Sequence, residues 1–226
     1  PAMQWGIWRA GGIAVPLCTL HPASELAYSI EDSDASIVVA HPQFEEILRP
    51  VAEKLNRKFL LTTEFQNAKT GELPDVSPER AAMIVYTSGT TSKPKGVVTT
   101  HENIAAQIES LIVAWGWTED DHILLFLPLH HVHGIVNVLC CALWAGAVCE
   151  MMPRFDAEKA WKKLQDKDLT MFMAVPTIYE RLVKFSMNAP AQDQQTMTDA
   201  CNTLRLMVSG SAALHGVGSS ELAWTF

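Results

Sequence analysis

The most distinctive stretch of the chain reads Tyr86-Thr87-Ser88-Gly89-Thr90-Thr91-Ser92-Lys93-Pro94-Lys95-Gly96. Hydroxyl side chains donate hydrogen bonds, glycine lets backbone N–H groups turn toward an anion, and lysine supplies positive charge. The apolar run at residues 81–86 predicts a buried strand that leads directly into the stretch. The pattern therefore predicts a phosphate-holding loop after a strand. It is not the Walker type, because Pro94 stands where that pattern requires the second glycine.

Helical and strand patterns alternate on both sides of this loop. We expect helices at about residues 3–9, 21–33, 44–55, 101–115, 132–146, 156–167 and 177–186. We expect strands at residues 13–17, 36–40, 59–62, 81–86, 97–99, 123–127, 147–152, 171–175 and 204–208, and a polar loop at residues 187–200. Thr99 and Glu102 have the spacing of a capping box at the start of the fourth helix. Such alternation predicts an α/β fold with layered, mostly parallel sheets flanked by helices.

Composition excludes several classes of function. The chain has 226 residues, a net charge of -8 and a pI near 5.4, which disfavours nucleic acid as a partner. Its five cysteines are odd in number and include no C-x-x-C pair, which favours a reducing, intracellular compartment. The apolar run at residues 132–149 contains His133 and Asn137 and is interrupted by Gly134 and Gly146. We therefore expect a buried helix and no membrane span.

Three histidines follow one predicted strand closely, in Pro128-Leu129-His130-His131-Val132-His133-Gly134. No carboxylate or cysteine stands beside them at the spacing of a zinc site, so we expect no metal there. For His130 and His133, packing at the start of a helix is the alternative interpretation.

Small residues follow the last predicted strand, in Ser209-Gly210-Ser211-Ala212-Ala213. Small side chains at the carboxyl end of a strand leave room for a flat ligand, and nucleotides bind at such ends in α/β sheets. The motif by itself is weak.

The stretch at residues 86–96 resembles the signature of the AMP-forming acyl-CoA synthetase (adenylate-forming) superfamily. Within it, residues 4–214 most resemble the malonyl-CoA synthetases, or malonate–CoA ligases. The supporting segments are His130–Gly134, Trp8–Leu17, Met151–Phe155, Met173–Tyr179 and Leu206–Leu214. Ser92 departs from the pattern, since the superfamily usually has glycine there.

The resemblance implies a set of binding residues. The ATP phosphates are expected at Thr87, Ser88, Gly89, Thr90, Thr91 and Lys95, and adenine at Gly210, Ser211 and Ala212. His131 matches the histidine that lies by the carboxylate and the nucleotide, and is the expected catalytic residue. The implied reactants are ATP, CoA and a small carboxylic acid, with Mg²⁺ as cofactor and no metal held by the protein itself.

The resemblance also implies a domain organisation. Residues 1–214 correspond to part of the large N-terminal domain of the AMP-dependent synthetases, residues 215–226 are a divergent tail, and the C-terminal lid domain is expected to be absent. We expect an acid–thiol ligase by parentage, inactive as this chain alone, that works in fatty acid and lipid metabolism in the mitochondrial matrix or the cytoplasm. The alternatives are a ligase for medium- or long-chain fatty acids or aromatic acids, and a non-catalytic nucleotide-binding product. Arg154 and Arg205 are candidates, by residue type only, for binding a second substrate carboxylate.

Overall fold

The computed structural model describes residues 1–65, 71–87 and 93–212. The chain divides into two compact units, Pro1–Ala106 with Leu129–His131, and Gln107–Pro128 with Val132–Phe226. Each unit contains parallel strands flanked by helices, which confirms the predicted α/β class.

The first unit contains a parallel and an antiparallel strand pair. Strands β1 and β2 are parallel and joined by helix α3, whereas β3 and β4 form an antiparallel hairpin. The elements are α1 (Ala2–Arg9), α2 (Ala23–Asp32), β1 (Ile37–Ala40), a 3-10 turn (Pro42–Phe44), α3 (Glu45–Lys54), β2 (Lys58–Leu61), a second 3-10 turn (Thr62–Phe65), β3 (Ala81–Thr87), β4 (Lys95–Thr100) and the start of α4 (His101–Trp115).

The core of this unit lies where α2 and α3 meet β1. Ile30 of α2, Val38 of β1 and Val51 of α3 form one buried cluster. These residues follow the helical and strand periodicities of the sequence, so burying them fixes which face of each element points inward.

Two local predictions for the first unit are wrong. The strand expected at residues 13–17 is reduced to a single bridge between Ala14 and Met83. Pro16 has no backbone N–H, so the segment cannot extend a regular ladder beyond this point. The capping box exists, but its members are Thr100 and Asn103, each of which accepts a hydrogen bond from the other's backbone N–H at 3.1 Å.

The second unit is a four-stranded parallel sheet in the order β6-β5-β7-β8. Its core comprises β5, β7 and a π-helix, most of whose side chains are buried. The elements are β5 (His122–Leu125), the π-helix (His133–Cys140), α5 (Cys141–Trp144), β6 (Val148–Met151), α6 (Ala157–Gln165), β7 (Met171–Ala174), α7 (Pro176–Met187), α8 (Ala191–Cys201) and β8 (Leu206–Ser209).

The predicted buried helix after the histidines begins as this π-helix. A Cβ atom on Gly134 would lie only 2.7 Å from the carbonyl oxygen of Pro128, so the chain approaches itself here as only glycine permits. Across the three described ranges, no helix is both long and apolar enough to cross a membrane.

The polar loop expected at residues 187–200 is wrong, because α8 occupies most of it. The helix buries Met197 and Ala200 and packs against α6 and α7. With only two buried side chains three residues apart, the apolar face is too narrow to detect in the sequence alone.

Candidate functional site

The hairpin β3–β4 holds the ends of the predicted phosphate loop. Thr87 ends β3, Lys95 begins β4, and the two residues are paired directly across the strands. Both are exposed. The hairpin therefore carries a hydroxyl side chain and an ammonium side chain opposite each other at the end where the loop begins. The predictions for Ser88, Gly89, Thr90, Thr91 and Ser92 lie outside the described residues.

His131, the predicted catalytic residue, is exposed and precedes the π-helix. Its ring lies against that of His130, with 4.2 Å between the ring centroids. Burial and the neighbouring His131 and His21 lower the pKa of His130 to about 4, so His130 is neutral at physiological pH. The exposed imidazole of His131 is thus supported by a neutral, half-buried one.

The small-residue motif lies at the carboxyl end of β8, in the second unit. The backbone N–H of Gly210 donates to the carbonyl oxygen of Ala174 at 3.0 Å, which continues the pairing of β8 with β7. Ser211 has a φ of 67°, in the left-handed region that few non-glycine residues adopt. The backbone thus turns sharply within Gly210–Ala212, and Ser211 and Ala212 are exposed.

His133 is the residue that packs against this turn. A Cβ atom on Gly210 would lie 3.0 Å from Cε1 of His133, so the imidazole occupies the space beside the glycine. Nδ1 of His133 lies 3.2 Å from Oγ of Ser211. The structure thus brings together His133 and two of the predicted adenine contacts, Gly210 and Ser211.

The other ring nitrogen of His133 faces no partner. The side chain is only 8% exposed, and its buried Nε2 has no hydrogen-bond partner among the described residues. Burial lowers the pKa of His133, so the ring is neutral at physiological pH. Nδ1 accepts from the Ser211 hydroxyl or donates to it, depending on which ring nitrogen of the neutral imidazole carries the proton. In the sequence, packing at a helix start was the alternative interpretation for both His130 and His133, and the contact with Gly210 distinguishes His133 from His130.

Arg205 is not placed to bind a substrate beside this turn. Its guanidinium donates to both carboxylate oxygens of Asp121 and to the carbonyl oxygens of Trp115 and Gly116. Asp121 and Arg205 precede β5 and β8, so the pair lies at the amino ends of parallel strands, opposite the edge that carries Gly210. Arg154 is exposed after the carboxyl end of β6.

The part of the chain that the structure describes contains no group of three or more His, Cys, Asp or Glu side chains able to hold a metal ion.

A hairpin loop rich in hydroxyls and a small-residue turn at the carboxyl end of a parallel strand are features of nucleotide-binding α/β proteins. The family model described as AMP-binding enzyme matches residues 1–220. The chain belongs to this family, which confirms the resemblance found in the sequence.

Curated relatives include malonate–CoA ligases. The chain is 46% identical over 224 residues to the mitochondrial malonate–CoA ligase ACSF3 of Bos taurus, covering 93% of this chain and 38% of that protein. It is 37% identical over 231 residues to the malonate–CoA ligase of Arabidopsis thaliana, covering 92% of this chain and 38% of the relative. The chain thus spans less than two-fifths of the length of these relatives.

Solved structures show the same fold. ATP-bound MatB from Rhodopseudomonas palustris superposes with a TM-score of 0.81 at 30% identity, covering 94% of this chain and 42% of MatB. A malonyl-CoA ligase with bound methylmalonyl-CoA and AMP gives a TM-score of 0.79 at 34% identity, covering 94% of this chain and 44% of the ligase. These matches confirm the predicted correspondence to an N-terminal part of the adenylate-forming enzymes.

Proposed function

We propose that the chain forms part of an acid–thiol ligase that activates malonate or a related short dicarboxylate with ATP and transfers the acyl group to CoA. Family membership and the similarity to malonate–CoA ligases of animals and a plant support this assignment. Because the chain spans 38% of the bovine relative, the proposal concerns the activity of a longer polypeptide that contains it.

The proposed reaction has two steps. A carboxylate oxygen of the acid attacks the α-phosphorus of ATP, and pyrophosphate leaves. The CoA thiolate then attacks the acyl carbon of the adenylate, and AMP leaves. Both steps transfer a group between anionic partners, so the residues of this chain contribute mainly by positioning the reactants and by balancing their charge.

The hairpin residues Thr87 and Lys95, with the loop Ser88–Thr91 between them, are proposed to bind the triphosphate. The pairing of Thr87 with Lys95 across the strands supports this role. At the same end of the hairpin, Thr87 supplies a hydroxyl that can donate a hydrogen bond to a phosphate oxygen and Lys95 supplies a positive charge. Mg²⁺ would offset phosphate charge when bound. Since the described residues hold no metal cluster of their own, we expect it to enter with the nucleotide.

The turn at the carboxyl end of β8 carries the proposal most directly. Gly210, Ser211 and Ala212 are proposed to contact adenine, and the contact of Gly210 with His133 places an imidazole next to that segment. Nε2 of neutral His133 is buried without a hydrogen-bond partner among the described residues, and an unsatisfied buried polar atom of this kind supports a functional role for the segment. His131, exposed two residues earlier, is proposed to lie by the reacting carboxylate and the nucleotide.

The compartment is part of the same proposal. We infer an intracellular, reducing location, either the mitochondrial matrix or the cytoplasm, in which the thioester would serve fatty acid and lipid metabolism. The bovine relative is described as mitochondrial, which supports the first of these locations.

Two measurements test the proposal. Isothermal titration of the 226-residue chain with ATP and Mg²⁺ should show binding, and pyrophosphate exchange on the longest reading frame that contains the chain should depend on malonate. Acetate, benzoate and palmitate are the comparison substrates for malonate. Exchange with palmitate or benzoate but not malonate would refute the substrate assignment, and absence of exchange with every acid would refute the ligase assignment. The 226-residue chain alone should form no malonyl-CoA.

A further inference from the structure

We propose that Tyr28, Tyr86 and Asp32 are positioning residues that clamp both ends of the phosphate loop to helix α2. The proposal rests on the proposed function, since it concerns the loop expected to bind the ATP triphosphate. It does not make these side chains ligands of ATP. They act on the two strand ends from which the loop departs.

The incoming strand end is held through Tyr86, the residue before Thr87. Its hydroxyl lies 3.2 Å from the backbone carbonyl oxygen of Ser29 and 2.8 Å from Oδ2 of Asp32, both in α2. Its ring lies over the opposite strand, where a Cβ atom on Gly96 would approach Cζ of Tyr86 to 3.2 Å. Burial and Asp32 raise the pKa of Tyr86, so the hydroxyl remains a donor at any ordinary pH.

The outgoing strand end is held through Tyr28. Its hydroxyl lies 3.0 Å from the backbone carbonyl oxygen of Pro94, the residue before Lys95. The ammonium of Lys93 lies over the Tyr28 ring, 5.3 Å from its centroid. A single side chain of α2 therefore contacts two consecutive residues on the far side of the loop from Tyr86.

Asp32 joins the two contacts. Its carboxylate oxygens lie 3.4 Å from the hydroxyl of Tyr28 and 2.8 Å from that of Tyr86, and the two rings meet edge to face with centroids 6.2 Å apart. Helix α2 is fixed beneath them, because Leu26 and Ile30 are buried in the core. Both ends of the loop are thus tied to one rigid element.

This arrangement bears on binding because a loop has to be ordered around its ligand. Seven residues separate Thr87 from Lys95, and fixing their ends before ATP arrives reduces the conformational entropy lost on binding. Loss of one clamp hydroxyl should therefore weaken ATP binding without removing any group that touches ATP.

The test compares Tyr28→Phe, Tyr86→Phe and Asp32→Ala with a matched control, Thr99→Val, in the 226-residue chain. Thr99 donates its hydroxyl to the carbonyl oxygen of Met83 at 3.2 Å, so the control removes one side-chain hydrogen bond from the same hairpin at its other end. Titration with ATP and Mg²⁺ should show a dissociation constant about three- to tenfold larger for each clamp variant, from the loss of one hydrogen bond. The control should stay within twofold of wild type.

A second readout separates positioning from general stability. Hydrogen exchange followed by mass spectrometry should accelerate in peptides covering residues 86–96 of the clamp variants and remain unchanged in peptides covering α3. Equal loss of affinity in Thr99→Val would overturn the proposal in favour of simple hairpin weakening. Wild-type affinity in all three clamp variants would overturn it while leaving the proposed function intact. If the wild-type 226-residue chain binds no ATP, the triphosphate site proposed for it fails, and unchanged exchange at residues 86–96 would overturn the clamp as well.

Discussion

Replacing Asp121 by asparagine should destabilise the protein in a manner that depends on pH. The carboxylate is 2% exposed and accepts hydrogen bonds from the guanidinium of Arg205, the Thr170 hydroxyl at 2.6 Å and the backbone N–H of Thr118 at 2.9 Å. Burial alone would raise the pKa of Asp121, but the hydrogen bonds from Arg205 and Thr170 outweigh it and lower the pKa from 3.8 to about 2.

The size of the effect follows from the linkage between proton binding and folding. A carboxyl whose pKa is lower in the folded state stabilises the protein fully above its unfolded pKa, and this contribution disappears as the pH falls from about 4 to about 2. The lowered pKa of Asp121 corresponds to about 2.5 kcal/mol at pH 7 and about 1 kcal/mol at pH 3. Asp121→Asn should therefore lower the free energy of unfolding more at pH 7 than at pH 3.

Urea denaturation of wild type and Asp121→Asn, followed by circular dichroism at pH 3, 5 and 7, measures the difference directly. Asp34→Asn is the matched control. Its carboxylate pairs with Arg57 at 2.7 Å but its side chain is 86% exposed, and asparagine tolerates the positive φ of 50° found there. An exposed pair contributes about 1 kcal/mol or less.

Two outcomes would refute this reasoning. If Asp121→Asn lowers the free energy of unfolding no more than Asp34→Asn does, the buried ion pair with Arg205 contributes no more stability than an exposed ion pair. If Asp121→Asn lowers the free energy of unfolding equally at pH 3 and pH 7, the substitution acts through packing and not through the charge of the carboxylate.

Three further substitutions test local geometry by thermal and urea denaturation. Gly134→Ala should cost about 1–3 kcal/mol, because its Cβ would lie 2.7 Å from the Pro128 carbonyl oxygen; an unchanged midpoint would contradict that close approach. Thr100→Ala should cost about 1 kcal/mol by removing the cap on the Asn103 N–H, and a neutral result would count against the cap. Lys167→Gly should add about 0.5–1 kcal/mol, since Lys167 has a φ of 61°; destabilisation would contradict this interpretation.

Most of the fold could be predicted from periodicity, because most elements bury one continuous face. The expected strand at residues 36–40 and helix at residues 44–55 appear as β1 (Ile37–Ala40) and α3 (Glu45–Lys54), and no bound is shifted by more than one residue. Their apolar residues repeat with the period of each structure, so tertiary packing and local pattern agree. By contrast, α8 depends on contacts with α6 and α7 that no local pattern reveals.

The candidate site was harder to predict, because its geometry depends on residues distant in sequence. The phosphate loop and the turn at Gly210 could be found as motifs. His133 contacts Gly210 and Ser211, which lie 77 and 78 residues further along the chain. This contact also depends on a π-helix whose periodicity the sequence does not show. The same holds for Tyr28 and Asp32. In the sequence they are ordinary residues of an amphipathic helix, and only the structure shows that they contact Pro94 and Tyr86 at the ends of the two strands.

The second unit separates stability from the proposed chemistry along the same strands. At the amino ends of the strands, the carboxylate of Asp121 accepts hydrogen bonds from Arg205 and Thr170. The strands are four residues, or about 13 Å, long, and they separate this network from the turn at Gly210. At the carboxyl ends, Nε2 of His133 is buried without a partner in the described part of the chain. A buried ring nitrogen without a partner costs stability, and the hydrogen-bonded network at the amino ends of the strands can offset that cost. Asp121→Asn should accordingly lower the free energy of unfolding yet leave ATP affinity within twofold at temperatures well below the transition. A parallel loss of affinity would show that the two edges are coupled.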